Sequence, residues 1–250
     1  MKRQIQFLFD LLAVMGICLS ALAQTQPGAE SIPNVDQIMD KYVQALGGKA
    51  AIKKLTSRVA KGTFEIPQYN AVGAYESYAK APNKAVNIST FEGYGVVKRG
   101  FDGAVAWVQD PERGLREMSG AGLAEMKRGA DFYNDLKLKE HYPKMVLKGK
   151  EKTGDRETFV IEAAPVEGRP LKMYFDAQTG LLVRTVSEGE EDGLRVLTTL
   201  YYEDYRGVDG VKLPFTFRQD NPNFSFTIKL TEVKHNVAID DAKFKKPESR

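Results

Sequence analysis

Residues 204–215 read DYRGVDGVKLPF, and this stretch decides the architecture. Asp209-Gly210 is a tight-turn pair, because both residues tolerate the positive φ that a short hairpin demands. Strands joined by so short a turn pair antiparallel, since parallel pairing needs a long crossover. The signal recurs at Thr153-Gly154-Asp155, Glu167-Gly168, Ala177-Gln178-Thr179-Gly180, Asp192-Gly193 and Asn221-Pro222-Asn223. From Met145 onward the chain is therefore strands and turns with little else. Counting by turn spacing predicts about ten strands in all. An antiparallel meander of that length curls, so a barrel or half-barrel is expected.

Upstream the period changes. Val35, Ile38, Met39, Tyr42, Ala45 and Leu46 recur at three-and-four spacing, the apolar stripe of a helix. Asn34 caps its start, Gln37 completes a capping box, and Gly47-Gly48 ends it. Ile52 and Leu55 predict one further helical turn. After Leu55 the period is two. Ala60, Gly62, Phe64 and Ile66 alternate with Val59, Lys61, Thr63 and Glu65, and strand-like stretches follow near 71–80, 84–90, 95–101 and 104–109. Residues 119–142 return to helical spacing through Leu123, Met126, Ala130, Tyr133 and Leu136, with Gly129 a weak point of about 1 kcal/mol.

The first residues read as an export signal. A basic start at Lys2 and Arg3 precedes the apolar run of residues 11–19, and Ala21-Leu22-Ala23 is a small-x-small cleavage site. Residues 1–23 are expected to be a signal peptide, with Gln24 the new N-terminus, and residues 24–34 a flexible leader. Cys18 is the single cysteine and lies in the removed part; Ile17 before it does not fit a lipid-attachment site. Residues 35–250 are expected to form one domain.

Composition and motifs narrow the chemistry. With 36 basic and 33 acidic side chains the charge is nearly balanced, which excludes the concentrated basic face of a nucleic-acid partner. Of the two histidines, His141 and His235, neither has neighbouring His, Cys or clustered carboxylates, so structural or solvated roles are expected and no metal site. There is no Gly-x-Ser-x-Gly elbow. The Gly93-Tyr94-Gly95 and Gly120-Ala121-Gly122 pairs carry Lys98 and Glu125 where a third glycine belongs, and neither opens a parallel unit. Asp102, Asp155, Asp176, Asp192 and Asp209 sit in turns, where an Asx-type bond explains them. No catalytic residue and no cofactor are expected.

Five blocks complete the picture: ALGG at 45–48, FDGAVAW at 101–107, YFDAQTGLL at 174–182, the 204–215 stretch, and NVAIDDAKFKKP at 236–247. Together they resemble the periplasmic lipoprotein-carrier superfamily, the Lol-type proteins of outer-membrane lipoprotein sorting, over roughly residues 35–247. The resemblance implies an α+β fold: a single strongly curved antiparallel half-barrel with helices packed on its concave side. It also implies a non-catalytic periplasmic carrier that shields lipoprotein acyl chains or lipid. Phe64, Tyr75, Trp107, Leu123, Met126, Phe159 and Tyr174 are the candidates for lining the hollow. The alternative is an envelope sensor or scaffold that binds another protein through the half-barrel. A third class, a hydrolase, would need two facing carboxylates.

Overall fold

The computed structural model of the chain describes residues 32–191 and 194–248. The expected signal peptide, most of the leader and the Asp192-Gly193 turn lie outside the described residues. The first helix, α1 (Val35–Ala45), starts on the expected capping box. Asn34 Oδ1 accepts from the Gln37 amide, and Gln37 Oε1 accepts from the Asn34 amide, both at 2.9 Å. Such a cap is worth about 1 kcal/mol. Helix α1 ends before Gly47, whose φ of +115° a side chain would strain, and a short α2 (Gly48–Lys53) follows.

Six strands come next: β1 (Ser57–Ile66), β2 (Ala71–Lys80), β3 (Lys84–Phe91), β4 (Gly95–Phe101), β5 (Ala106–Asp110) and β6 (Gly114–Glu117). Helices α3 (Gly120–Ala130) and α4 (Leu138–His141) interrupt them. Seven more strands close the chain: β7 (Lys144–Thr153), β8 (Arg156–Ala164), β9 (Leu171–Asp176), β10 (Leu182–Glu191), β11 (Leu194–Val208), β12 (Val211–Asp220) and β13 (Phe226–His235). All pair antiparallel in one open sheet, ordered β6-β5-β4-β3-β2-β1-β13-β12-β11-β10-β9-β8-β7.

Two expectations need correcting. Among the described residues the sheet has thirteen strands, more than the roughly ten that turn spacing predicts. Some reversals are made without a Gly pair; before β6, for example, the Asp110 carboxylate accepts from the amides of Glu112 and Arg113. The helical spacing of residues 123–136 also does not give one helix. At Asp131 the chain leaves α3, and its carboxylate holds the break by accepting from the Tyr133 amide, Lys137 Nζ and the His141 side chain.

Curvature follows from who touches whom. Strands β2 and β7 lie eight positions apart, about 38 Å across a flat sheet. Yet Tyr75 of β2 and Leu147 of β7 pack against the same cluster, which contains Ile38, Met39 and Tyr42 of α1. The sheet therefore curls around α1, and the α1 side is its inner face.

The outer face of the first strands is covered as well. Residues 236–247 cross it and seat Ile239 and Phe244 on Val86 and Trp107. Trp107 is 1% exposed, and its Nε1 donates to the Phe244 carbonyl at 3.2 Å. Asp241 in this segment pairs with Lys80 and Lys84 at 2.8 and 2.7 Å, and those ammoniums hold its carboxyl down at about 2. Trp107→Ala should cost about 3–5 kcal/mol of stability, read from urea denaturation midpoints. A loss below about 1 kcal/mol would mean that the C-terminal segment does not pack on this face.

Candidate ligand-binding hollow

The inner face divides into two parts of different side-chain size. Beneath α1, the strands β8, β9 and β12 contribute Ile161, Met173, Phe175, Leu213 and Phe215, all buried. Tyr42 meets Phe175 edge to face with ring centroids 5.3 Å apart, and this part is solid core. On β1, β2 and β3 many of the inward positions are small. Register places Ala60 and Gly62 beside Ser77 and Tyr75, and Ser77 and Ala79 beside Asn87 and Ala85. Small side chains here leave a hollow of about 400 Å³ between sheet and helices. That is within the usual range for a small-ligand pocket.

Its walls are mixed. Leu46, Ile52 and Leu55 from the α1–α2 region and Leu138 and Phe132 from the second helical segment supply apolar surface. Tyrosines supply the polar part, each with a partner: Tyr42 donates to Asp135 Oδ1 at 2.7 Å, Tyr75 to Asn87 Oδ1 at 3.1 Å, and Tyr205 to the Leu182 carbonyl at 2.7 Å. Burial pushes the Tyr202 phenol up to about 12 and raises those of Tyr42 and Tyr205 well above the ordinary value, so all three stay neutral.

The candidates from the sequence are scattered. Tyr75 lines the hollow. Phe64 shares the inner face, stacks on Phe226 at 4.8 Å, meets Phe91 at 5.6 Å, and lies beside Tyr75 with ring centroids 6.3 Å apart. Phe159 belongs to the solid core, and Leu123 and Met126 pack against the Phe101–Ala106–Ala130 cluster. Trp107 and Tyr174 are on the outer face, Tyr174 beneath the Arg184 guanidinium at 3.7 Å, so neither faces the hollow. Period-two alternation fixes which residues share a face, not which face turns inward. The helix residues Tyr42, Leu46 and Ile52 were missed. The legible signal for the hollow was the run of small residues at period two on three consecutive strands.

A larger depression of about 1070 Å³ lies on the outer face between Glu162, Lys172, Tyr174, Arg184, Glu188 and Leu197. Charges of both signs line it and it opens to solvent, so it makes a poorer apolar site than the hollow.

No family model matches the chain, and no curated protein matches it. Solved structures do. A LolA superfamily protein from Nitrosomonas europaea superposes with a TM-score of 0.58 at 12% identity, covering 86% of this chain and 99% of that one. The fold is LolA-like. A DUF1329 family protein from Desulfovibrio piger gives 0.58 at 15% identity, covering 86% and 98%. An outer membrane lipoprotein-sorting protein domain from Vibrio parahaemolyticus gives 0.57 at 14%, covering 85% and 98%.

Within this LolA-like fold the two histidines each face a carboxylate. His141 Nε2 is 3.1 Å from Asp131, and His235 Nδ1 is 3.0 Å from Asp209 Oδ2. Among the described residues no three His, Cys, Asp or Glu side chains are placed to hold a metal ion. The His235 side chain is 1% exposed, lines the hollow, and leaves Nε2 buried with no partner among the described residues. Burial pulls its pKa below the ordinary 6.5, Asp209 opposes this, and the Arg58 charge adds to it. The folded state therefore takes up that proton less readily than the unfolded chain. The stability contributed by the neutral ring is complete above about pH 6.5 and is lost as acidification proceeds below it. His235→Asn keeps an N–H for Asp209 and does not titrate. Between about pH 7 and pH 5 the parent's melting temperature should fall more steeply than the variant's; parallel curves would contradict the assignment.

Proposed function

We propose that this chain is a non-catalytic binding or carrier protein of the periplasm for an acyl-chain-bearing ligand, a lipoprotein or a lipid. In this proposal residues 1–23 are an export signal, 24–34 a leader, and 35–250 a half-barrel with its helices on the concave side. The observation that carries it is the hollow of about 400 Å³ bounded by small inward residues and by Leu46, Ile52 and Leu55. Burying an acyl chain there gains about 0.8 kcal/mol per methylene. The LolA-like fold supports the same reading.

The scaffold alternative would use an exposed sheet edge. Edge strand β7 carries Lys144, Lys148, Lys150 and Lys152 along its length, a charge pattern that blunts strand addition. At the β7 edge this disfavours an added peptide strand.

Filling the hollow tests the proposal. Ser77→Trp places a large ring in the space without touching the solid core beneath α1. The parent should bind an environment-sensitive naphthylamine dye that dodecanoate displaces, and the variant should lose most of that binding while staying folded. Equal dye binding by a folded Ser77→Trp variant would place the site elsewhere. To monitor stability and fold, the experiment needs Ser77→Ala as a small-residue control. In the parent, whose single tryptophan is Trp107, emission should stay constant as dodecanoate binds, because the residue lies on the outer face beneath residues 236–247.

Export has its own check. Protein recovered from a periplasmic extract should begin at Gln24 on N-terminal sequencing. A start at Cys18 carrying lipid would instead make the chain a lipoprotein.

A further inference from the structure

The sheet wall of the hollow carries positive charge that no described residue neutralises. Arg58 lies on the inner face of β1, in register with His235 of β13, and lines the hollow. Arg99 occupies the same face of β4, in register with Asn87 on β3, which is in register with Ser77 on β2. Neither guanidinium makes a hydrogen bond or ion pair among the described residues. Elsewhere on the sheet some cations find partners among the described residues, as Arg116 does with Asp110, Arg218 with Asp220 and Glu203, and Lys229 with Glu65, and others such as Lys98 do not; Arg58 and Arg99 differ in facing inward.

The nearby carboxylates are already engaged. Asp209 is held by His235 Nδ1, and Asp135 accepts from the Tyr42 hydroxyl. Registers put no Asp or Glu on the inner face of β1 to β4; those positions are small, aromatic, aliphatic or basic. Tyr75 reports on the field. Burial raises its phenol pKa, while the Ser77 bond and the Arg58 and Arg99 charges lower it, so both arginines act on one side chain of the hollow. Arg58 and Arg99 are three strand positions apart, about 14 Å in a flat sheet, a separation that the inward curl shortens.

We propose that the ligand of the hollow is an amphiphile with an acidic head group, a carboxylate or a phosphate, held by Arg58 and Arg99 while its chain runs toward Leu46, Ile52 and Leu55. The proposal rests on the acyl-ligand reading given above and adds the chemistry of the polar end. Guanidinium forks match both oxyanions, and charge-assisted bonds of this kind are the strong ones. Both arginines are exposed in the unbound protein. Each stays hydrated until the head group arrives, so the free protein bears no unpaired buried charge.

The test compares three ligands of one chain length, dodecanoate, dodecyl phosphate and dodecanol, by displacement of the naphthylamine dye. It uses the parent and the Arg58→Gln/Arg99→Gln double variant, at a pH where both acids are ionised. The parent should bind at least one acid about tenfold or more tighter than the alcohol, from one or two charge-assisted bonds. In the double variant that preference should vanish with dodecanol affinity unchanged. Which acid gains more assigns the head group as carboxylate or phosphate. Equal affinity for acids and alcohol in the parent, or an acid preference that survives in the variant, would overturn the head-group proposal and leave the acyl reading standing. Failure of all three ligands to displace the dye would overturn the acyl reading, and this proposal with it. Unchanged thermal melting of the double variant, expected from two exposed and unpaired side chains, separates lost recognition from lost folding.

Discussion

Gly47 sits against the backbone of the β11–β12 turn, and the position of the helical layer depends on that contact. A Cβ at Gly47 would lie 2.2 Å from the Gly210 carbonyl oxygen, so only glycine allows the approach, and its φ of +115° asks for glycine independently. Beside this contact, the Leu46 carbonyl accepts from the Lys212 amide at 2.8 Å. The turn itself runs through Asp209 at φ +51° and Gly210 at φ +82°. The contact sets α1 over β8, β9 and β12, and it directs α2 to the end of the hollow where Ile52 and Leu55 stand.

The hollow exists because the inner face is uneven. Large side chains under α1 close one part, and Ala60, Gly62, Ser77 and Ala79 leave the other open. Magnitudes show that the space is not a sealed dry void. At about 24 cal/mol per Å³, an empty apolar cavity of some 400 Å³ would cost roughly 10 kcal/mol, as much as a whole domain's net stability. Ser77, Asn87, Asn134, Asp135 and Thr185 in the lining make it a wettable space instead. A chain entering it replaces water along the apolar part and leaves the polar end beside Arg58.

What was legible in the sequence was local. The capping box at Asn34 and Gln37, the Gly47 stop, the antiparallel order and most turns follow from short-range chemistry, and all are present. The strand count fell short because reversals such as that at Asp110 rest on an Asx bond and a lone Gly114, with no Asp-Gly or Thr-Gly pair to mark the turn. The side of the sheet was the larger difficulty. The stretch around Trp107 is apolar on both faces: Ala106 turns toward α3 and Trp107 toward residues 236–247. Only the path of the last dozen residues decides which is which, and that path is a long-range property. Tyr174 was misplaced for the same reason. The walls contributed by α1 and α2 were hidden because an apolar helix stripe looks the same whether it meets core or cavity.

The claim on which the rest stands is that the hollow beside the Gly47–Gly210 contact receives an acyl chain. Its most direct measurement is a set of intermolecular nuclear Overhauser effects between unlabelled dodecanoate and methyl-labelled protein. The account predicts cross-peaks from the chain methylenes to the methyl groups of Ile52, Leu55 and Leu230, and none to Val86 or Val160 on the outer face. Cross-peaks confined to outer-face methyls, or to none, would contradict it.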